Sequence, residues 1–185
     1  MCVNDGQWGE IIVSGPHVLT KYYNNNDAFK QNKIIVGDTV WHRTGDSGFV
    51  NNGELYLTGR CMQLILTGNG YLSPFVIENQ LQDVDGISAG TLLQHNGQLV
   101  LVAESNRTAL QLEKSLREIP HHQIKVVARI PRDPRHHSKI DYEKLKEMLS
   151  IDAPNNLNAN KTGVSFFFFA RVKNKMIVRK LTKSI

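Results

Sequence analysis

Apolar positions in the first third of the chain fall into short runs separated by turn-forming residues. Gly9-Glu10-Ile11-Ile12-Val13 has the length and composition of a strand and is closed by Ser14-Gly15-Pro16. Ile34-Ile35-Val36 is a second such run, closed by Gly37-Asp38. Between them lies the polar stretch Tyr22-Tyr23-Asn24-Asn25-Asn26-Asp27, whose Asn and Asp residues favour turns. Gly48-Phe49-Val50 and Glu54-Leu55-Tyr56-Leu57 flank Asn51-Asn52-Gly53, and the Asn-Gly pair is a hairpin signal. Residues 1–58 therefore read as all-β and too short to close a core alone.

Beyond Arg60 the pattern changes. Leu64-Ile65-Leu66 reads as a buried-type strand, and Ser73-Pro74 opens a helix in which Val76, Ile77, Leu81 and Val84 recur at helical spacing. Gly90–Leu93 and Leu99–Ala103 read as two strands joined through Asn96-Gly97. Residues 108–118 are amphipathic, with Leu110, Leu112 and Leu116 as the apolar stripe, and stop at Pro120. Ile124–Ile130 reads as another strand, and residues 141–149 as a short helix opened by an acidic cap. The order β-α-β-β-α-β-α over residues 64–150 predicts a small α+β sandwich. The fold class expected for the whole chain is thus α+β, a short all-β part followed by an α+β domain. From Pro154 the chain becomes Asn-rich, then runs through Phe166-Phe167-Phe168-Phe169 to a basic end.

Composition narrows the class. The 185 residues are 41% hydrophobic and 21% charged, as in ordinary globular proteins. No apolar run approaches the roughly 18 residues a membrane span needs, and the N-terminus lacks the basic start and apolar stretch of a signal peptide. With only Cys2 and Cys61, no disulfide framework is implied, and a cytoplasmic location is the expectation. The net charge of +5 is unevenly spread: residues 151–185 hold seven Lys and Arg against Asp152 alone, so residues 1–150 sum to −1. The body mixes its charges and shows no aromatic-basic stripe, which argues against nucleic-acid binding.

Two constellations carry candidate chemistry. Asp46 sits in the Gly-flanked segment Thr44-Gly45-Asp46, and Arg60 follows Gly59. An aspartate there either bonds its own backbone in a turn or accepts two neighbouring hydroxyls, as on a ribose. Arg60 is either a solvated arginine or a planar donor fork for phosphate or ribose oxygens. The second constellation, Ile130 to Asp141, combines Pro131 and Pro134 with Arg132, Arg135, His136, His137 and Lys139, and reads as a stiffened basic loop. It is either a solvated charged loop or a device by which Lys139 brings a compact positive charge to a phosphate or carboxylate. His136-His137 and the cysteines lack partners at metal-ligand spacing, so no metal site is expected.

In order along the chain, Gly9-Glu10-Ile11-Ile12-Val13-Ser14-Gly15-Pro16, Tyr22-Tyr23-Asn24-Asn25, Arg43-Thr44-Gly45-Asp46, Gly53-Glu54-Leu55-Tyr56-Leu57-Thr58-Gly59-Arg60, Gly68…Pro74…Ile77-Glu78 and Pro134-Arg135-His136-His137-Ser138-Lys139-Ile140-Asp141 resemble successive motifs of the acyl-adenylate-forming ligases. That AMP-binding superfamily includes acyl-CoA synthetases, fatty acyl-AMP ligases, luciferase and the adenylation domains of peptide synthetases. The resemblance covers residues 9–145, and its Arg-His-x-Ser-Lys-Ile form is similar to the branch acting on long acyl chains. It implies that Asp46 binds the ribose hydroxyls of ATP and of the acyl-adenylate, and that Arg60 contacts ribose or phosphate near a hinge. Lys139 would be the catalytic lysine, reaching the carboxylate and the α-phosphate, with Mg²⁺ as the companion ion. The loop Gly68-Asn69-Gly70 would then face a thiol acceptor, coenzyme A or the phosphopantetheine of an acyl carrier protein, after the small domain rotates.

On this resemblance residues 1–58 are the end of a large domain, 59–63 the hinge, 64–150 the small domain and 151–185 a basic tail. The chain departs from the family at the hinge, where Met62 replaces the usual Asp or Lys and Gln63 follows where an acid is common. The family's Gly-rich phosphate loop, its Tyr-Gly-x-Thr-Glu motif and its acyl pocket precede the counterpart of Gly9 and do not occur in these 185 residues. The expectation is a chain inactive by itself and completed by a large AMP-binding domain and a carboxylic or fatty acid substrate. The alternative is a non-catalytic interaction module that reuses the small domain, with the basic tail meeting an acidic partner.

Overall fold

The computed structural model describes residues 3–151 and 176–180. The phenylalanine run and most of the basic tail lie outside them. The described chain forms two compact units, one holding the residues up to Ser73 with strand 176–180, the other beginning at Pro74. Both helices and sheets are present throughout, so the chain is α+β.

In the first unit, β1 (Gly9–Val13) is followed by α1 (Asn26–Asn32), β2 (Lys33–Val36), β3 (Thr39–Asn51) and β4 (Glu54–Arg60). A 3-10 turn, Cys61–Gln63, leads to the small hairpin of β5 (Ile65–Thr67) and β6 (Gly70–Leu72). β3 is the spine: β1 pairs with one edge, while β2 and then β4 pair with the other. The Asn-Gly signal is realised as expected, with Asn51 opposite Glu54 and both Asn52 (φ 51°) and Gly53 (φ 79°) left-handed, as a two-residue hairpin turn requires. Trp8 stacks on Phe49 at 6.2 Å and on Tyr71 at 6.4 Å, and Phe49 stacks on Tyr56 at 4.7 Å. This ladder of aromatic faces joins the β5–β6 hairpin to the main sheet.

α1 overturns the all-β reading of residues 1–58. Asn25, read there as a turn former, caps the helix by accepting from the Ala28 amide at 2.9 Å. The helix buries no residue, so it has no apolar stripe for a periodicity to reveal.

The second unit contains α2 (Pro74–Gln82), β7 (Ile87–His95), β8 (Gln98–Ser105), α3 (Ala109–Leu116), β9 (Gln123–Val127), β10 (Arg132–Asp133), β11 (His136–Ile140) and α4 (Tyr142–Ile151). β8 is central, antiparallel to β7 and parallel to β9, and α3 supplies the crossover that a parallel pair needs. Val100, Leu101, Val102 and Ala103 are all buried, as expected for a strand covered on both faces. Leu93, Val100 and Val102 pack with Ile130 and with Leu145 and Leu149 of α4. Leu92 and Leu101, alternating to the opposite face, are fully buried, as are Leu81 of α2 and Leu112 and Leu116 of α3.

Three details differ from expectation. Leu110, assigned to the buried stripe of α3, is 80% exposed, because it lies two residues, about 200°, around the helix from Leu112, which shares the buried face with Leu116. The strand expected to reach Ile130 ends at Val127, although Ile130 itself is fully buried. The presumed basic loop is a β-hairpin, β10 pairing with β11 around the Pro134-Arg135 turn. The last described strand, β12 (Met176–Lys180), returns from the tail to pair antiparallel with the free edge of β1.

Candidate functional site

Asp46 was expected on a glycine turn; it lies within β3, directly opposite Arg60 on β4. The turn chemistry appears instead as a bulge. Glu10 pairs with Ser47 and Ile12 with Arg43, so Thr44-Gly45-Asp46 crowd opposite Ile11 alone. One hydroxyl stitches this bulge, Thr44 Oγ1 donating to Ile11 O at 2.8 Å and accepting from the Asp46 amide at 3.0 Å. β4 carries a matching irregularity, since Ser47 pairs with Gly59 but Gly48 with Leu57. Gly59 there takes φ 96°, a conformation that a side chain would strain. Beneath the pair, Thr58 Oγ1 donates to Ser47 Oγ at 2.9 Å, Ser47 Oγ to Gly59 O at 3.1 Å, and Ser73 Oγ to Thr58 O at 2.6 Å, all buried.

This frame turns Asp46 and Arg60 outward together. Arg60 Nη1 lies 3.2 Å from Asp46 Oδ1 and donates to Thr44 O at 3.1 Å. The Arg60 side chain is 55% exposed and that of Asp46 35%, so the carboxylate and the remaining guanidinium donors are open to a ligand. Such a pair offers acceptors for two vicinal hydroxyls and a cation beside them.

Behind the pair lies an arrangement that local sequence does not reveal. Glu10 is 6% exposed and is gripped by Arg43, with Nε at 3.1 and 3.0 Å from the two carboxylate oxygens and Nη2 at 2.9 Å from Oε2. Arg43 also donates to Gln31 O at 3.3 Å. Both residues belong to motifs quoted above, yet 33 positions separate them and only the β1–β3 register brings them together. Burial, with the negative charges of Glu10 and Asp46, pushes the Cys61 thiol up to about 11. Met62, in the same turn, is 98% exposed, and Gly68-Asn69-Gly70 form the tip of the β5–β6 hairpin, where Thr67 Oγ1 donates to Gly70 O at 2.8 Å.

In the second unit, Lys139 lies on β11, exposed, with no hydrogen bond or ion pair to the described residues. The hairpin turn is tied by Asp133, which accepts from the Arg135 amide at 2.8 Å. Hydrogen bonds from the Arg135 backbone and guanidinium hold the Asp133 carboxyl below its usual range. Among the described residues no group of three His, Cys, Asp or Glu side chains is gathered as for a metal ion, and no helix is long and apolar enough to cross a membrane.

No family model matches the chain. Among characterised proteins it is similar to an atromentin synthetase of Tapinella panuoides, 40% identical over 86 residues that make up 46% of this chain and 9% of that protein. It is also similar to the acyl-CoA ligase clz12 of Cochliobolus lunatus, 32% identical over 129 residues, 66% of this chain and 35% of the ligase. The chain thus spans about a tenth to a third of the relatives it matches. Among solved structures, the O-succinylbenzoate coenzyme A synthetase of Bacillus subtilis, in complex with AMP, superposes with a TM-score of 0.61 at 25% identity, over 78% of this chain and 31% of that one. The ATP-bound MatB of Rhodopseudomonas palustris has the same fold at 20% identity, with a TM-score of 0.61 over 79% of this chain and 31% of its own. In sequence and in fold the chain is a relative of the acyl-adenylate-forming ligases and the counterpart of a C-terminal portion of them.

Proposed function

We propose that these residues supply the nucleotide grip and the catalytic cation of an ATP-dependent acyl-adenylate-forming ligase. The observation that carries the reading is the register of β3 and β4, which sets Asp46 against Arg60 at the two matching motif positions and leaves both side chains open. Asp46 holds the ribose hydroxyls of ATP, and Arg60 reaches ribose or phosphate oxygens beside it. A carboxylate substrate attacks the α-phosphorus, the bond to the β-phosphate oxygen breaks, and pyrophosphate leaves with acyl-AMP as the product. Negative charge crowds at that step, and Lys139, unpaired by the described residues, is the cation of this chain that offsets it. Mg²⁺ supplies further charge neutralisation when bound; its ligands are assigned to a large AMP-binding domain rather than to residues of this chain.

The acyl group then passes to a thiol, that of coenzyme A or of a carrier-protein phosphopantetheine, at the Gly68-Asn69-Gly70 tip: the thiol loses its proton, its sulfur bonds the acyl carbon, and the bond to the adenylate oxygen breaks to release AMP. The turn Cys61–Gln63 that follows Arg60, with Met62 in solvent, is the pivot between the two half-reactions. An AMP complex of a relative with the same fold supports the nucleotide assignment.

ATP–pyrophosphate exchange tests this reading, with the chain added to a large AMP-binding domain that carries the phosphate loop and with carboxylic acids of graded length as substrates. Exchange is expected to depend on the chain and to fall about 10²- to 10³-fold in Lys139→Ala, the usual loss for a group that stabilises transition-state charge. Exchange absent with every acid, or unmoved by Lys139→Ala, overturns it.

A further inference from the structure

Lys139 stands on a hairpin that has little to hold it. β10 and β11 pair with one another and with no other described strand, and β10 is two residues long. Ile140 of β11 packs against the core that includes Ile130, Leu145 and Leu149, and beyond that contact the hairpin's orientation is set at its two stems. The incoming stem is fixed at Ile130, fully buried, whose amide donates to Glu104 Oε2 at 2.9 Å. The outgoing stem is Asp141, two residues after Lys139. Its amide closes the hairpin on Pro131 O at 3.0 Å, and its carboxylate caps α4 by accepting from the Lys144 amide at 3.0 Å.

The next residue, Tyr142, is tied through its hydroxyl to α2 and β7. Its hydroxyl donates to Glu78 Oε1 at 2.5 Å, and Thr91 Oγ1 donates to the same oxygen at 2.7 Å. The two hydroxyl oxygens are 2.9 Å apart, which closes a triangle joining α2, β7 and the start of α4. Thr91 is fully buried, and the Tyr142 side chain packs against the Leu145–Leu149 core. Burial and the Glu78 charge both hold the phenol in its neutral, donating form. A hydrogen bond to a carboxylate in such surroundings is among the stronger kinds.

We infer that Tyr142, held by Glu78 and Thr91, is a positioning residue for Lys139, clamping the base of the β10–β11 hairpin so that the lysine is presented on a stiff arm. What the lysine does there rests on the adenylation reading above; the clamp itself does not. The sequence places Glu78 and Tyr142 64 positions apart, and neither belongs to the ribose pair or the lysine position.

Amide hydrogen exchange of the full 185-residue chain tests it, comparing wild type with Tyr142→Phe, Glu78→Ala and Glu78→Gln. Tyr142→Phe keeps the packed ring and removes only the hydroxyl. It and Glu78→Ala are expected to speed exchange at the Asp141 amide and along β11 about tenfold to a hundredfold while β7 and β8 hold their protection. Glu78→Gln, which keeps an acceptor oxygen for both hydroxyls, restores most of the protection. Unchanged β11 exchange in Tyr142→Phe, or equal acceleration in β7 and β8, overturns the clamp. In the completed ligase, Tyr142→Phe is expected to lower kcat for pyrophosphate exchange about tenfold and to leave the KM for ATP in place, since the ribose grip is elsewhere. A loosened hairpin with unchanged kcat overturns the positioning role and leaves adenylation standing. A wild-type mixture without activity counts against adenylation, and the amide measurement still decides the clamp.

Discussion

Replacing Arg43 by alanine should destabilise the first unit by about 2–3 kcal/mol. Glu10 is almost fully buried, and Arg43 contributes the three contacts of 2.9 to 3.1 Å that compensate its charge. Removing one partner of a buried ion pair costs about 3–5 kcal/mol, because the remaining charge is left in a poor solvent. The Arg43 side chain is 41% exposed, so water entering the vacated space recovers part of that, and the figure is discounted accordingly. In a unit of this size such a loss lowers Tm by about 10 °C or more. The chain's two tryptophans, Trp8 and Trp41, both lie in this unit, so their emission during urea unfolding reports on it directly. Glu10→Gln alone is expected to cost less than Arg43→Ala, and the double variant to recover part of the Arg43→Ala loss. An Arg43→Ala loss under about 0.5 kcal/mol, or strict additivity in the double variant, would refute the view that Arg43 compensates the buried Glu10 charge.

The remaining predictions concern the thiol and the core. In a Cys2→Ser background, Cys61 should alkylate roughly a hundredfold more slowly at neutral pH than an ordinary thiol and accelerate as pH climbs towards about 11, since only the thiolate attacks. Reaction at the rate of a free cysteine at pH 7 would show that Glu10, Asp46 and burial do not act on it. Leu145→Ala, at a site with no exposure, should cost about 2–5 kcal/mol in calorimetric melting of the second unit. Leu110→Ala, at 80% exposure, should stay within about 0.5 kcal/mol, and a comparable loss at both positions would contradict the burial pattern.

Wherever the information was local, the chain's order of residues was enough to read it. The Asn52-Gly53 and Asn96-Gly97 turns follow from two adjacent residues that tolerate positive φ. α2 and α3 show themselves through apolar residues at helical spacing and α4 through its acidic opening, and Asp46, Arg60 and Lys139 through motifs contiguous in the chain. α1 escaped notice because a helix with no buried face leaves no periodic mark. β12 leaves no local mark because, among the described residues, it pairs with a strand more than 160 positions earlier.

The tertiary structure decided what depends on register and on distance across the fold. That Asp46 and Arg60 face one another follows from a bulge on each strand, and a slip of one residue would send the two side chains to opposite faces. The Glu10–Arg43 pair and the Glu78–Thr91–Tyr142 triangle join residues 33 and 64 positions apart at their widest. Neither leaves a trace in neighbouring residues, because a buried charge or hydroxyl is satisfied by whatever the fold brings beside it. Sequence alone determined which side chains are available for chemistry; packing determined which of them are aimed, and how firmly.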